Sequence, residues 1–389
     1  MKKKIPYGKQ LIDKLDINSV VSALNDELIT SGPKVDKFEN LFKKKVGSKF
    51  AVSCVNGTAA LHLSLLGINL KKNDIVIMPV INFIAAANMA NNLGAKIFFA
   101  DVDPFTAQMT PDNLEECIKK NKLKKIKAVV TMYNGGKPNN APEFYKLKKK
   151  YSFYLIEDAC HALGAKYSIK KKLYVGSCKY SDISTFSFHA IKNITTCEGG
   201  MITTNNSSIN NLIKLYKNHG IVRKASSDNK YFWDYQVVKA GFNYRLNDIQ
   251  SALGISQLKK LNNFIKQRKK ISHIYNKNLI NLKKYINCPI IDKDQVSGHH
   301  LYVVNFKFNK KDLRNKAIKF LYKKGIISQV HYIPIYKFNY YKKICKGDFS
   351  GAEKYYKNSL SLPNFVSLKE KQILFICKTL SSFIKKNYD

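Results

Sequence analysis

Arginine is nearly missing from this 389-residue chain. Of its 67 basic residues only Arg223, Arg245, Arg268 and Arg314 are arginines, and the rest are lysines. The net charge of +40 raises a nucleic-acid reading. Specific readers of nucleic acid lean on arginine and a localised patch. Here the lysines are scattered in short clusters such as Lys43–Lys45, Lys148–Lys150 and Lys170–Lys172. That distribution argues against nucleic acid as the main partner. It leaves a positive field that draws small anions, nucleotide diphosphates among them.

Long apolar runs are also lacking. No stretch approaches the ~18 residues that would span a bilayer, so no membrane partner is expected. The opening MKKKIPYGKQ has a positive end with no apolar segment behind it, unlike a secretory signal. The expectation is a cytoplasmic protein. The eight cysteines include no CxxC pair and no close His–Cys grouping. Free thiols in a reducing compartment follow from this, and a metal site is not expected.

What is present is alternation. Short apolar runs occur at Phe50–Val55, Asp74–Val80, Lys96–Val102, Ala128–Met132, Tyr154–Ile156 and Ile183–Phe188, bounded mostly by Gly, Asn or Asp. Helical stretches lie between several of them, at Thr58–Leu66 and Asp112–Lys119. The pattern predicts an α/β sheet with helices on its faces. Ile249–Ile265 reads as a long helix, followed by a lysine-rich stretch and a new set of short elements from Leu301 to Ile384. The expected division is a large domain over 1–250 and a smaller C-terminal α/β domain over 251–389.

Four constellations carry chemistry. In Thr185-Phe-Ser-Phe-His-Ala-Ile-Lys-Asn-Ile-Thr-Thr-Cys-Glu-Gly-Gly200, Lys192 stands alone between Lys179 and Lys214, beside a strand end. A lysine on partly buried backbone has a lowered pKa and can act as an amine nucleophile, forming a Schiff base. In Tyr154-Leu-Ile-Glu-Asp-Ala-Cys-His-Ala-Leu-Gly164, a strand ends on two carboxylates. Asp158 there can hold a protonated ring nitrogen, or simply cap a following helix. Val55-Asn-Gly-Thr-Ala-Ala-Leu-His62 opens a helix after a strand, a place for a phosphate or for ordinary capping. Gly241-Phe-Asn-Tyr-Arg-Leu-Asn-Asp-Ile-Gln-Ser-Ala-Leu-Gly254 leads a polar loop into a helix, with Asn247 as a candidate cap.

Together and in this order, these segments resemble the DegT/StrS sugar aminotransferases, over Ile5 to about Pro363. The resemblance implies a fold-type I pyridoxal-phosphate transferase with a large mixed sheet, working as a homodimer with sites at the interface. It implies that Lys192 holds pyridoxal 5'-phosphate and later moves the proton, and that Asp158 pairs with the pyridine nitrogen. Gly57, Thr58 and Ser187 would bind the phosphate, Phe83 would stack on the ring, and His161 and His189 would line the pocket. Asn243 would reach the cofactor phosphate of the neighbouring subunit. Glutamate would give the amine and a keto-sugar nucleotide would take it, with Arg245 a candidate anchor for the donor carboxylate.

The chain departs from the commonest family pattern in three places. His-Ala-Ile-Lys replaces His-Pro-x-Lys, Cys197 stands where glycine is frequent, and Tyr133-Asn-Gly-Gly-Lys-Pro138 replaces a His-x-Phe-Gly-x-Pro-like segment. All three read as clear of any catalytic atom. With Ile5-Pro-Tyr-Gly-Lys-Gln10 and Gln329-Val-His-Tyr-Ile-Pro-Ile-Tyr336, the lysine segment is similar to the branch that serves pseudaminic acid synthesis. That branch aminates carbon 4 of a UDP-4-keto-6-deoxy-N-acetyl-altrosamine. Tyr7, His189, Arg245, His331, Tyr332 and Tyr336 are the expected substrate contacts. A dehydratase of the same fold would usually carry His in place of Lys192. A regulatory protein on the same scaffold would not need the full set of pocket residues.

Overall fold

The computed structural model describes residues 4–223, 233–290, 295–307 and 312–388. Nine strands come first: β1 Phe50–Cys54, β2 Ile75–Pro79, β3 Lys96–Ala100, β4 Ile126–Met132, β5 Tyr154–Asp158, β6 Lys166–Ser168, β7 Leu173–Tyr174, β8 Ile183–Ser187 and β9 Gly200–Thr204. Seven of them form one sheet in the order β1-β9-β8-β5-β4-β2-β3. β9 is antiparallel to both its neighbours, and the pairings from β8 to β3 are parallel. Six strands therefore point one way, and their carboxyl ends share one edge. That edge is where an open α/β sheet binds its ligands.

The sheet strands are nearly continuous buried runs, as a sheet covered on both faces requires. The covering helices begin with α1 Lys14–Leu24, α2 Pro33–Val46, α3 Gly57–Gly67, α4 Ala85–Asn92, α5 Pro111–Lys120, α6 Ala141–Tyr151 and α7 Ser207–Lys217. Every residue of α3 but Thr58 is buried, so this helix is apolar all round. Its Leu61, Leu63 and Leu65 join one core with Val76, Met78, Val130 and Ile156.

A helix of 31 residues, α8 Asp248–Asn278, links this sheet to the rest. It outruns the expected segment, because the lysine-rich stretch is helical too. Lysine and arginine are good helix formers, and Leu261, Ile265, Arg268, Ser272 and Tyr275 give α8 a buried stripe at helical spacing. Asn247 caps it, accepting from the Gln250 N–H at 2.8 Å. Before α8 stand the two-residue strands β10 Ile221–Val222 and β11 Gln236–Val237, and after it a three-stranded antiparallel sheet of β12 Ile286–Asn287, β13 Tyr302–Phe306 and β14 Ser359–Leu362. Helices α9 Leu313–Lys323, α10 Ser350–Asn358 and α11 Glu370–Tyr388 complete the described chain. Val304, Leu360, Leu321, Ile376 and Leu380 form a second core there, which Ile5 joins from the other end of the chain. Among the described residues no helix is long and apolar enough to cross a membrane.

Candidate active site

A cavity of about 520 Å³ opens at the carboxyl edge of the large sheet, a size ordinary for small-molecule sites. It is lined by Tyr7, Gly57, Thr58, Phe83, Asp158, His161, Ser187, His189, Lys192, His331 and Tyr332. These come from six places in the sequence; strand ends and loops at the sheet's carboxyl edge supply Gly57 to Lys192, while Tyr7, His331 and Tyr332 come from segments bridged to one another or to β14.

Asp158 is the last residue of β5, beside Met132 of β4 and Thr185 of β8. It is buried, and its carboxylate accepts the Cys160 N–H at 3.1 Å. Burial raises its pKa, while the hydrogen bonding from Cys160 and the charge of Lys192 pull the other way. No helix follows it; the chain turns at Cys160 and His161. The helix-capping alternative is therefore not realised.

Lys192 sits on the β8–β9 loop, its backbone N–H donating to the His189 carbonyl at 2.9 Å. Burial lowers the pKa of its amine, against the opposing pull of Cys160 and Asp158. The amine gives up its proton more readily than a surface lysine does, as a nucleophile requires.

At the start of α3, the Asn56 side chain accepts the Ala59 N–H at 2.8 Å. The N–H groups of Gly57 and Thr58 lie in the first turn, where helix donors have no partner inside the helix. A Cβ at Gly57 would come 2.9 Å from Ser187 Cβ and 3.3 Å from its Oγ. Glycine is what lets the helix start approach Ser187, and the two make a cradle for an anion.

Three buried histidines surround the cavity. His161 packs on His300 with ring centres 4.3 Å apart and meets the Tyr332 hydroxyl at 3.0 Å from Nε2. His331 shares a 2.8 Å hydrogen bond with Ser361 through Nδ1. Burial and the nearby Lys192 hold His161 well below the usual imidazole range, and push His331 down to about 4. Both are neutral at pH 7. Phe83 is about half exposed, with its ring centre 5.9 Å from that of Tyr332.

Three expected residues lie elsewhere. The Tyr336 hydroxyl donates to Glu353 at 2.6 Å and its ring stacks on Phe349, in a separate surface groove. Arg245 donates to Asn218 at 2.7 Å, and Asn243 is exposed. Asn56, Cys160, Glu198 and His300 line the cavity without having been singled out. Asn56 had a local signal, as a polar cap residue just before Gly-Thr. His300 had none, since its place depends on packing against a residue more than a hundred positions away.

One departure from the family pattern is not clear of the site. The Gly135 N–H reaches His161 Nδ1 at 3.4 Å, and a Cβ at Gly136 would come 2.4 Å from the His161 carbonyl oxygen. The two segments are 26 residues apart in sequence and meet only because β4 and β5 are neighbours. Cys197 has φ 68°, a left-handed conformation, which accounts for the glycine frequent at this place in the family.

A cofactor with a phosphate, a basic ring nitrogen and an aldehyde meets a fitting group for each: the cradle at Gly57, the buried Asp158 carboxyl and the Lys192 amine. Pyridoxal phosphate is that cofactor, and the sheet beneath it is that of the fold-type I pyridoxal-phosphate enzymes. Residues 10–381 match the DegT/DnrJ/EryC1/StrS aminotransferase family, and the chain belongs to that family. It is 37% identical over 388 residues to the UDP-4-amino-4,6-dideoxy-N-acetyl-beta-L-altrosamine transaminase of Campylobacter jejuni, covering 98% of each chain. Among solved structures it is similar to Helicobacter pylori PseC, an aminotransferase involved in the biosynthesis of pseudoaminic acid. The TM-score is 0.89 at 31% identity, with 99% of this chain and 100% of that one covered. The PLP form of a putative sugar aminotransferase from Streptococcus pneumoniae superposes with a TM-score of 0.89 at 25% identity, covering 98% of this chain and 99% of that one.

Proposed function

We propose that this pyridoxal-phosphate-dependent aminotransferase moves the amino group of glutamate to carbon 4 of UDP-4-keto-6-deoxy-N-acetyl-β-L-altrosamine, a step toward pseudaminic acid. The observation that carries the substrate is the end-to-end likeness to the Campylobacter jejuni altrosamine transaminase. The strongly basic chain suits a diphosphate ligand.

Bound in the cavity, pyridoxal phosphate supplies an electron sink for the carbon that loses or gains a proton. The buried Asp158 carboxyl would pair with the ring nitrogen and favour its protonated form. Gly57, Thr58 and Ser187 would hold the phosphate, and Phe83 would offer an aromatic face. Lys192 would be the residue that holds the aldehyde carbon, and its lowered pKa would suit its amine to accept and return a proton. Neutral His161, His331 and Tyr332, with Tyr7 and His189, line the cavity and would meet the substrate there.

The working unit of this reading is a cytoplasmic homodimer, divided in each chain into domains 1–250 and 251–389. Asn243 is exposed and outside its own chain's cavity, which suits a residue that completes a second copy's phosphate site. Arg245 beside it is the candidate anchor for glutamate. Tyr336 lines a different groove of its own chain, which weakens its expected contact with the sugar.

The experiment is a comparison of epimers. The enzyme is offered the L-altro and D-gluco forms of the UDP-keto sugar with labelled glutamate. The two keto forms differ in configuration at carbon 5, so the ring of the wrong one turns its hydrogen-bonding groups away from a site built for the other, a mismatch worth up to about 10⁴. Preference for the L-altro form is expected, and strong preference for the D-gluco form moves the enzyme to a bacillosamine-type reaction.

A further inference from the structure

We propose that the Gly135 N–H holds His161 as its Nε2–H tautomer, so that Tyr332 accepts from His161 and presents its own hydroxyl proton to the cavity. Gly135 and His161 are then positioning residues for Tyr332, and the ligand group they serve is the carbonyl oxygen of the keto substrate. The identity of that ligand rests on the function proposed above; the tautomer does not.

A backbone N–H can only donate. Facing Nδ1 at 3.4 Å, it requires a lone pair there. His161 is neutral, held so first by burial, and carries one ring proton. With Nδ1 as acceptor, that proton is on Nε2. The opposite tautomer would set N–H against N–H in a buried place, where an unmade hydrogen bond costs most.

Nε2 lies 3.0 Å from the Tyr332 hydroxyl oxygen, so the bond runs from His161 to Tyr332. Tyr332 keeps its proton, because burial and the nearby Asp158 raise its pKa well above the ordinary phenol value. With its oxygen accepting from His161, its single O–H is left to donate, and Tyr332 lines the cavity.

The backbone around His161 is built to hold this arrangement. The Gly135 and Gly136 backbones have φ of 75° and 103°, which glycine adopts without strain. A Cβ at Gly136 would stand 2.4 Å, and one at Gly298 2.8 Å, from the His161 carbonyl oxygen. The Gly298 N–H donates to the Gly136 carbonyl at 2.7 Å, and the His300 N–H to that of Gly135 at 3.0 Å. The His300 ring then closes over that of His161. This gives the Asn-Gly-Gly turn a task at the site.

The direct measurement is nitrogen NMR of the histidine-labelled holoenzyme near pH 7, with the His161 signals identified by their loss in His161→Gln. Nδ1 in the unprotonated range and Nε2 in the protonated range are expected. A proton on Nδ1, or a cationic ring, overturns the proposal. Tyr332→Phe should keep this tautomer. It should also lower kcat/KM for the keto substrate roughly tenfold, a clearly larger loss than in the half-reaction with glutamate. A shift of the proton to Nδ1 in that variant would make Tyr332, not Gly135, the determinant. An equal loss in both half-reactions would deny the contact with the keto group. His161→Gln, which keeps an N–H donor, should retain more of the keto half-reaction than His161→Leu; equal loss in the two also counts against the chain of donors. If the enzyme prefers another keto sugar, the tautomer result stands and only the substrate reading falls.

Discussion

Glu157 and Asp158 are neighbours on β5, and the alternation of a strand turns them to opposite faces of the sheet. Asp158 lines the cavity. Glu157 is buried behind it and accepts the hydroxyls of Tyr133 (2.5 Å), Tyr167 (2.7 Å), Ser181 (2.9 Å) and Ser184 (2.6 Å). Removing each acid should therefore do different things. Glu157→Gln sets an NH₂ group against one or more of these donors and should cost about 2 kcal/mol of stability, with the cofactor spectrum little changed. Asp158→Asn should leave stability nearly unchanged, shift the cofactor absorbance and lower turnover roughly 100-fold or more. Denaturant melts and absorbance spectra of the two variants decide the matter.

Lys192 should be the covalent attachment point of the cofactor. Borohydride reduction of the holoenzyme followed by peptide mapping should mark Lys192, and glutamate should bleach the yellow colour of the unreduced protein. Lys192→Arg should abolish turnover, because a guanidinium does not exchange protons near neutral pH. A mark on any other lysine would remove the assignment.

Asn243 should act on the second copy's site. Mixtures of Lys192→Ala chains with Asn243→Ala chains should regain activity, since one hybrid site carries neither lesion. Heterodimers that form but show no rescue would mean that each chain works with its own residues alone.

Acid should destabilise the fold through buried histidines. Burial first, and neighbouring positive charge second, lower His331 and His299 to about 4 in the folded chain, from the ordinary 6.5. Between those values the unfolded chain binds protons that the folded one does not. Stability therefore falls as pH drops from 6.5 toward 4, by on the order of 1–2 kcal/mol for each histidine at pH 5. Urea midpoints at pH 7 and pH 5 should show the loss, and His299→Gln should reduce its slope. An unchanged midpoint would mean these rings are open to water.

Cys197 stands in a left-handed backbone conformation on an exposed part of the loop after Lys192. The Cβ makes that conformation costly, and glycine removes the cost while adding some chain entropy to the unfolded state. Cys197→Gly should raise stability by about 0.5–1 kcal/mol, read as a higher Tm, with the cofactor spectrum unaltered. A lower Tm would mean that the thiol makes a contact worth more than the strain.

What the amino-acid sequence determined by itself is what short-range physics governs. β1, β2, β3, β4 and β8 follow from apolar runs ended by polar or glycine residues, and each lies within two residues of its predicted bounds. Asn247 caps α8 through a bond to a residue three positions on. Lys192, Asp158 and the Gly57 helix start lie within local motifs, so their places at strand or helix ends were legible without knowing the fold. The tertiary structure alone decided which distant residues share the cavity. Tyr332 meets His161 across 171 positions, and Gly135 reaches the same ring because two strands lie side by side. Tyr336, four residues beyond Tyr332, instead turns to Glu353. Nothing periodic marks those outcomes. They depend on chain packing, where the burial of one side chain sets the partner of another, and a string of neighbours carries no record of that.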